Sequence, residues 1–246
     1  TVNYNRDIEI YPVLRAMFEQ IYGECPYASP TDMGVNMAGL SIIDDEACRE
    51  ASKQEIIRRY FKTACLVRQG LASEAELQKI ENLMRQLKLE PENRPVVPAA
   101  LKRAEATGQP AAALELPDGT IVTGRTSELL GASSALTLNA LKMLAGIPHE
   151  VKLISPTVIA PIQTLKTDYM QSRNPRLHTD EMLVALAISA ATDENAMRAM
   201  QKLDELRGCD LHSSVILGTV DDSVFKRLGI NVTCEATYED NNLYHK

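Results

Sequence analysis

AAALELPDGTIVT, Ala111 to Thr123, decides how this chain is read, because the apolar pattern changes period there. Two short β-prone runs, Ala111 to Leu116 and Thr120 to Thr123, flank Pro117-Asp118-Gly119. Proline presets φ and glycine accepts a positive φ, so these three residues predict a hairpin turn. Upstream, apolar residues recur every three or four positions, as on a helix; downstream, helical and strand patterns alternate. The expected division is therefore an all-helical region over 1–108 and an α/β domain over 109–246.

Downstream of the hairpin, Ser127 to Ala145 reads as a helix closed by Gly146, and Glu150 to Ile154 as a short strand. Ser155-Pro156 caps the next helix and places proline at its first position, and Pro161 kinks or restarts it. Met182 to Ala191 is apolar nearly all round and reads as a buried helix. Asp193 to Arg207 follows, ended by Gly208; then come a strand over Leu211 to Leu217, a helix capped at Thr219 and ended by Gly229, and a strand over Ile230 to Cys234. Three helix-Gly-strand passages, at Gly146, Gly208 and Gly229, indicate a layered fold. The fold class expected is α plus α/β: a helical region, then a three-layer α/β/α domain with a mixed sheet. The element order resembles the cytidine-deaminase-like topology. Its zinc chemistry needs His-x-Glu or Cys-x-Glu at one helix start and Pro-Cys-x-x-Cys at the next. Thr126-Ser127-Glu128 and Ser155-Pro156-Thr157 stand there instead, so zinc deamination is rejected and no metal ligand is assigned, although His178 and Glu181, three apart, could bind a metal as well as shuttle a proton.

Upstream, Val13, Leu14, Met17, Phe18 and Ile21 make one apolar stripe, and a turn-rich loop runs from Cys25 to Gly34. Asp44 or Asp45 caps a long helix with the ridge Ile56, Tyr60, Ala64 and Val67, ending at Gly70. Ser73 and Glu76 form a capping box for a helix lined by Leu77, Ile80, Met84 and Leu87. The stripes Ile56/Tyr60/Val67 and Leu77/Ile80/Met84 exceed what a small helical region buries alone, so the chain is expected to form a homo-oligomer or to stay bound to a further part of the protein.

Composition narrows the function classes. The 246 residues carry a net charge of −7 with 4% aromatic residues and no Trp. That argues against a nucleic-acid or anionic-membrane surface, which needs clustered Lys and Arg, and against a base-stacking platform. No apolar run approaches the ~20 residues of a membrane span. The five cysteines are odd in number and lack Cys-x-x-Cys spacing, which reads as reduced thiols in a cytoplasmic protein.

Three clusters carry ionisable or hydroxyl groups. Gly124-Arg125-Thr126-Ser127 enters a helix, where free N–H groups, two hydroxyls and a guanidinium suit a phosphate or carboxylate; an ordinary helix cap is the plainer alternative. Asn174-Pro175-Arg176-Leu177-His178-Thr179-Asp180-Glu181 crowds polar groups at the start of a buried helix. His178 and Glu181 share a helical face, so His178, oriented by Asp180 or Glu181, is the candidate acid or base, with Asn174 and Arg176 as ligand-binding candidates. The alternative is again a cap, Thr179 or Asp180, with Arg176 paired to an acid. In Asp210-Leu211-His212-Ser213-Ser214 no Gly-x-Ser-x-Gly elbow surrounds the serines, so a triad is weakly supported and His212 reads as a core histidine.

SPTDMGVNMAG, IIDDEACREASKQEIIRRYFKTACLVRQG, NPRLHTDE, LHSSVILGTVDDSVFKRLGINVTCE and the tail Asn242 to Lys246 resemble the C-terminal half of the bacterial family DUF1846. The resemblance implies a helical middle region, a three-layer C-terminal region and a longer protein with a glycine-rich N-terminal part. The opening Thr1-Val2-Asn3-Tyr4, without Met, agrees with that expectation. An N-terminal half of the same protein is therefore the expected partner. Some relatives have been labelled ATP-dependent peptidases, but this chain has no His-Glu-x-x-His. Two functions are expected from these readings. One is half of an enzyme holding a phosphorylated or carboxylate molecule in a cleft shared with that other half. The other is an oligomerisation scaffold with a regulatory pocket. Neither a cofactor nor a reaction is assigned.

Overall fold

The computed structural model describes residues 4–37 and 45–239. Asp44, expected as a cap, and the tail Asn242 to Lys246 lie outside the described residues. The chain divides into two compact units, Thr1–Arg94 and Pro95–Lys246.

The first unit is helical: α1 (Tyr4–Tyr22), α2 (Pro30–Met37), α3 (Asp45–Arg68) and α4 (Glu74–Leu87). Its apolar periodicity becomes buried surface in α3 and α4, while Val13, Met17 and Ile21 of the α1 stripe stay exposed. Ile56, Ile57 and Phe61 of α3 and Ile80, Leu83 and Met84 of α4 are buried. Of the ridges that motivated an oligomer, Ile56, Ile80 and Met84 are buried, and Tyr60, Ala64, Val67, Leu77 and Leu87 are partly buried. The capping box forms as the spacing predicts: Ser73 N–H donates to Glu76 Oε2 at 2.9 Å, and Glu76 N–H to Ser73 Oγ at 3.4 Å. The loop expected over Cys25 to Gly34 is partly helical, because Pro30 starts α2 and Ser29 Oγ accepts the Asp32 N–H at 3.1 Å.

The second unit contains α5 (Val96–Thr107), β1 (Ala111–Glu115), β2 (Ile121–Arg125), α6 (Ala132–Leu144), α7 (Pro156–Thr164), α8 (Thr179–Ala190), α9 (Glu194–Met200), β3 (Asp210–Ser213), α10 (Thr219–Leu228) and β4 (Asn231–Cys234). The Pro117-Asp118-Gly119 turn closes as the sequence requires: Gly119 has φ +82° and its N–H donates to Leu116 O at 2.9 Å, while Thr120 N–H donates to Asp118 Oδ1 at 2.9 Å. The sheet order is β2-β1-β3-β4, with β1 antiparallel to both neighbours and β3 parallel to β4. The strands β2, β3 and β4 therefore point the same way, and their carboxyl ends share one edge.

Alternation along β1 sorts the two faces. Ala113 packs with Val96 and Ala100 of α5. Ala112 and Leu114 join the large core built with Leu136 and Leu141 of α6, Met182 and Leu186 of α8, and Phe225 of α10. The result is the expected mixed sheet with helices on both faces. Several readings differ, and β3 ends at Ser213 rather than Leu217. The helix α5, read with the helical region, packs on the sheet and belongs to the second unit. Glu150 to Ile154 is not a strand; Leu153 and Ile154 are buried in the core without joining the ladder. The residues His149 and Glu150 are exposed, and two apolar residues reach cover there without a paired backbone.

Candidate functional site at the carboxyl edge of the sheet

Three helices begin along the edge where β2, β3 and β4 end. The helix α6 follows β2, and α10 follows β3. The start of α8 is tied to both. Leu130 and Leu177 form a parallel bridge, with Leu177 N–H donating to Leu129 O at 3.0 Å and Gly131 N–H to Leu177 O at 3.3 Å. From the other side, Asp221 in the first turn of α10 accepts the Thr179 N–H at 2.8 Å. The segments of Arg125 and His178, 53 positions apart in sequence, thus run side by side at their backbones.

His178 is the N-cap of α8 and is half-buried. Its Nδ1 lies 3.9 Å from Asp221 Oδ2, an ion-pair distance. The Asp221 carboxylate holds the His178 pKa above its ordinary value; burial opposes this and does not prevail. For Asp221, burial pushes the carboxyl up, and the interactions with His178 and the Thr179 N–H outweigh it, so its pKa lies below the usual value. A half-exposed imidazole that favours its proton faces a largely buried carboxylate from another helix. Such a pair accepts and releases protons at an edge where ligands of α/β sheets collect.

The Glu181 carboxylate engages the start of α8. Its Oε2 accepts the backbone N–H of His178 at 2.8 Å and the Lys166 ammonium at 2.6 Å. Asp180 Oδ1 accepts the N–H of Glu181 at 2.8 Å. Both acids thus cap α8 locally. The carboxylate at ion-pair distance from the imidazole is that of Asp221, a residue outside the expected pair Asp180 and Glu181; helical geometry turns Glu181 back onto its own first turn. Arg176 pairs with Glu239 at 2.9 Å, and Asn174 Oδ1 accepts the Arg176 N–H at 3.1 Å, forming a turn.

In the first cluster, Ser127 is a loop cap: its Oγ accepts the N–H groups of Leu129 and Leu130 at 3.3 and 3.1 Å. The expected helix therefore starts at Ala132 rather than Ser127. Thr126 is buried, its N–H donating to Pro110 O at 2.8 Å. Arg125 is exposed at the end of β2, its Nη1 donating to Thr126 O at 3.2 Å, with no acid at ion-pair distance among the described residues. Gly124 has a packing role: a Cβ there would sit 2.2 Å from Leu136 N and 2.5 Å from Leu136 Cα. His212 is fully buried, with Nδ1 2.9 Å from Thr233 Oγ1 and Nε2 3.2 Å from Glu235 Oε1, as a core histidine should be.

Sequence reasoning missed Asp221, Lys166 and Glu239. Asp221 carries the one available signal, an acid in the first turn of the last helix. Among the described residues no group of three or more His, Cys, Asp or Glu is arranged to hold a metal, and no helix is long and apolar enough to cross a membrane. None of the five cysteines is in a disulfide among the described residues.

Residues 92–244 match the family described as "Domain of unknown function DUF1846, C-terminal", and residues 1–88 the one described as "Domain of unknown function DUF1846, N-terminal". Among relatives, a UPF0371 protein of Streptococcus thermophilus is 56% identical over 246 residues. One of Corynebacterium aurimucosum is 54% identical over 247 residues, and one of Streptococcus pneumoniae 55% over 246. Each alignment covers 100% of this chain and 50% of the relative, so the chain spans about half the length of the curated relatives it matches. These matches overturn one expectation. The partner anticipated as an absent N-terminal half is not supported, because residues 1–88 themselves match the family's N-terminal domain. The resemblance extends beyond the C-terminal domain alone.

Proposed function

The chain belongs to the DUF1846 family, and we propose that it binds a small carboxylate- or phosphate-bearing molecule at the carboxyl edge of its sheet, with His178 as the proton-exchanging group. The observation that carries this reading is the His178–Asp221 pair: two helix starts meet there, and the imidazole is half-exposed. Arg125, exposed at the end of β2 with no acid at ion-pair distance among the described residues, supplies a second cation to the same edge. Gly218 caps α10 without a side chain, and the first N–H groups of a helix can face an anion. Protonated His178 strengthens anion binding; neutral His178 serves as a base toward a bound acid. Asp180, Glu181, Asn174, Thr126, Ser127 and Arg176 shape the site and hold its backbone rather than touch the ligand.

Isothermal titration with inorganic phosphate and with succinate, at pH 6 and pH 8.5, tests this. Wild type should bind one of them at least about tenfold more tightly at pH 6. His178→Gln should bind weakly and with no pH dependence while keeping its circular dichroism. Failure of both anions to bind, or a His178→Gln protein that binds as wild type does, removes the reading.

One observation favours a different role. Lys166–Glu181 and Arg176–Glu239 are already matched cation by anion. On that reading the cluster is a clasp holding the start of α8, and the chain is a scaffold. His178→Gln would then cost stability without changing any titration.

A further inference from the structure

Behind the loop Leu129-Leu130, between α6 and α7, lies a cavity of about 230 Å³. It is lined by Leu130, Leu138, Leu153 and Ile159, with Lys142 and Lys152 also on its wall. We infer that this cavity binds a small carboxylate with an apolar tail, the tail against the leucines and Ile159 and the carboxylate at Lys142 and Lys152.

The size bounds the ligand. A dry apolar cavity of ~150 Å³ takes benzene, and drug-sized ligands occupy ~300–1,000 Å³, so the guest lies between. The charges fix its polarity. Lys142 is half-buried and its ammonium donates to a neutral carbonyl, His149 O, at 2.9 Å. Burial lowers its pKa, with Glu150 opposing from a distance. Neither Lys142 nor Lys152 has an acid within ion-pair distance among the described residues. Lys53, Lys79, Lys166, Lys202 and Lys226 have one, while Lys62, Lys88 and Lys102 likewise show none among the described residues. What sets Lys142 and Lys152 apart is their place on the wall of an apolar cavity. A partly desolvated ammonium beside apolar surface gains from an anion that brings its own apolar tail. The other polar side chain in the lining, Asn139, has its amide N–H committed to Thr123 O at 2.9 Å. The lysines are therefore the groups that select the head.

This inference does not rest on the His178 site, and the test separates the two. Octanoate and octan-1-ol share a tail and differ in charge, and both are titrated calorimetrically at pH 7. Octanoate should bind at least about tenfold more tightly than octanol. Lys142→Met should erase that difference by weakening octanoate alone. Ala135→Phe, which fills the cavity from α6, should weaken both. His178→Gln should leave octanoate binding within about twofold. No binding of octanoate at millimolar concentration, equal affinity for acid and alcohol, or full binding by Lys142→Met overturns the proposal. So does an equal loss of octanoate binding in His178→Gln, which would assign the ligand to the other site.

Discussion

Gly124 stands in a cluster whose sequence suggested a ligand loop, yet its hydrogen atom is what lets α6 lie on β2. A methyl group would meet the backbone of Leu136 at 2.2–2.5 Å, and backbone cannot rotate away as a side chain can. Overpacking of cores costs ~1–3 kcal/mol, and here the clash is with main chain. Gly124→Ala should therefore lose about 3 kcal/mol in urea denaturation; a loss under about 0.5 kcal/mol would mean that α6 shifts freely. His178 gives the second residue-scale prediction. Its folded pKa lies above the ordinary 6.5, so the folded chain holds the proton more tightly than the unfolded chain does. The associated stability is fully present below about pH 6.5 and is lost as pH rises through the raised value. The stability difference between wild type and His178→Gln should be larger at pH 6 than at pH 8.5, and an identical difference at both would refute the pairing with Asp221. The sequence made His178 visible through its crowded neighbourhood. It hid Asp221, 43 positions away, because only the α8–α10 packing brings them together.

At the scale of elements, α8 is held at its start by partners from elsewhere in the chain. After α7, the residues Leu165–Tyr169 form a π turn that carries the Lys166 ammonium inward to Glu181 and to the carbonyl of Arg176. The Lys166 side chain is 7% exposed and that of Glu181 27%, so removing the cation leaves an acid with little water. Breaking such a pair costs ~3–5 kcal/mol when both groups are buried, and the partial exposure of Glu181 argues for the lower end. Lys166→Met should cost about 3 kcal/mol by thermal or urea unfolding, and Lys166→Met with Glu181→Gln should cost less than the single change. If the double variant is the less stable, the two groups do not act as a pair. Helix existence was legible here because apolar periodicity and the Ser73, Pro156 and Gly229 punctuation are local signals. The misread strand Glu150–Ile154 shows the limit. A run of five residues with apolar positions satisfies either a ladder or simple burial, and only the rest of the sheet decides which.

Across the whole molecule, the change of period near Gly108 marks the first strand, which is a different thing from the edge of a folding unit. Contacts divide the chain at Arg94 and Pro95 instead, because α5 covers the face of the sheet that presents Ala113, with Val96, Val97 and Ala100 fully buried. Local pattern reveals that α5 is a helix; it carries no information on which unit that helix covers. The difference is measurable. A chain comprising 95–246 keeps both faces of β1 covered and should fold cooperatively, with slow hydrogen exchange along β1 and β3. A chain comprising 109–246 lacks α5, leaving apolar surface and the buried His212 side of the sheet open to water. It should bind hydrophobic dyes and unfold without a sharp transition. If 109–246 folds as sharply as 95–246 does, then α5 is an accessory to the sheet, and the boundary read from the sequence is the better description of the folding unit.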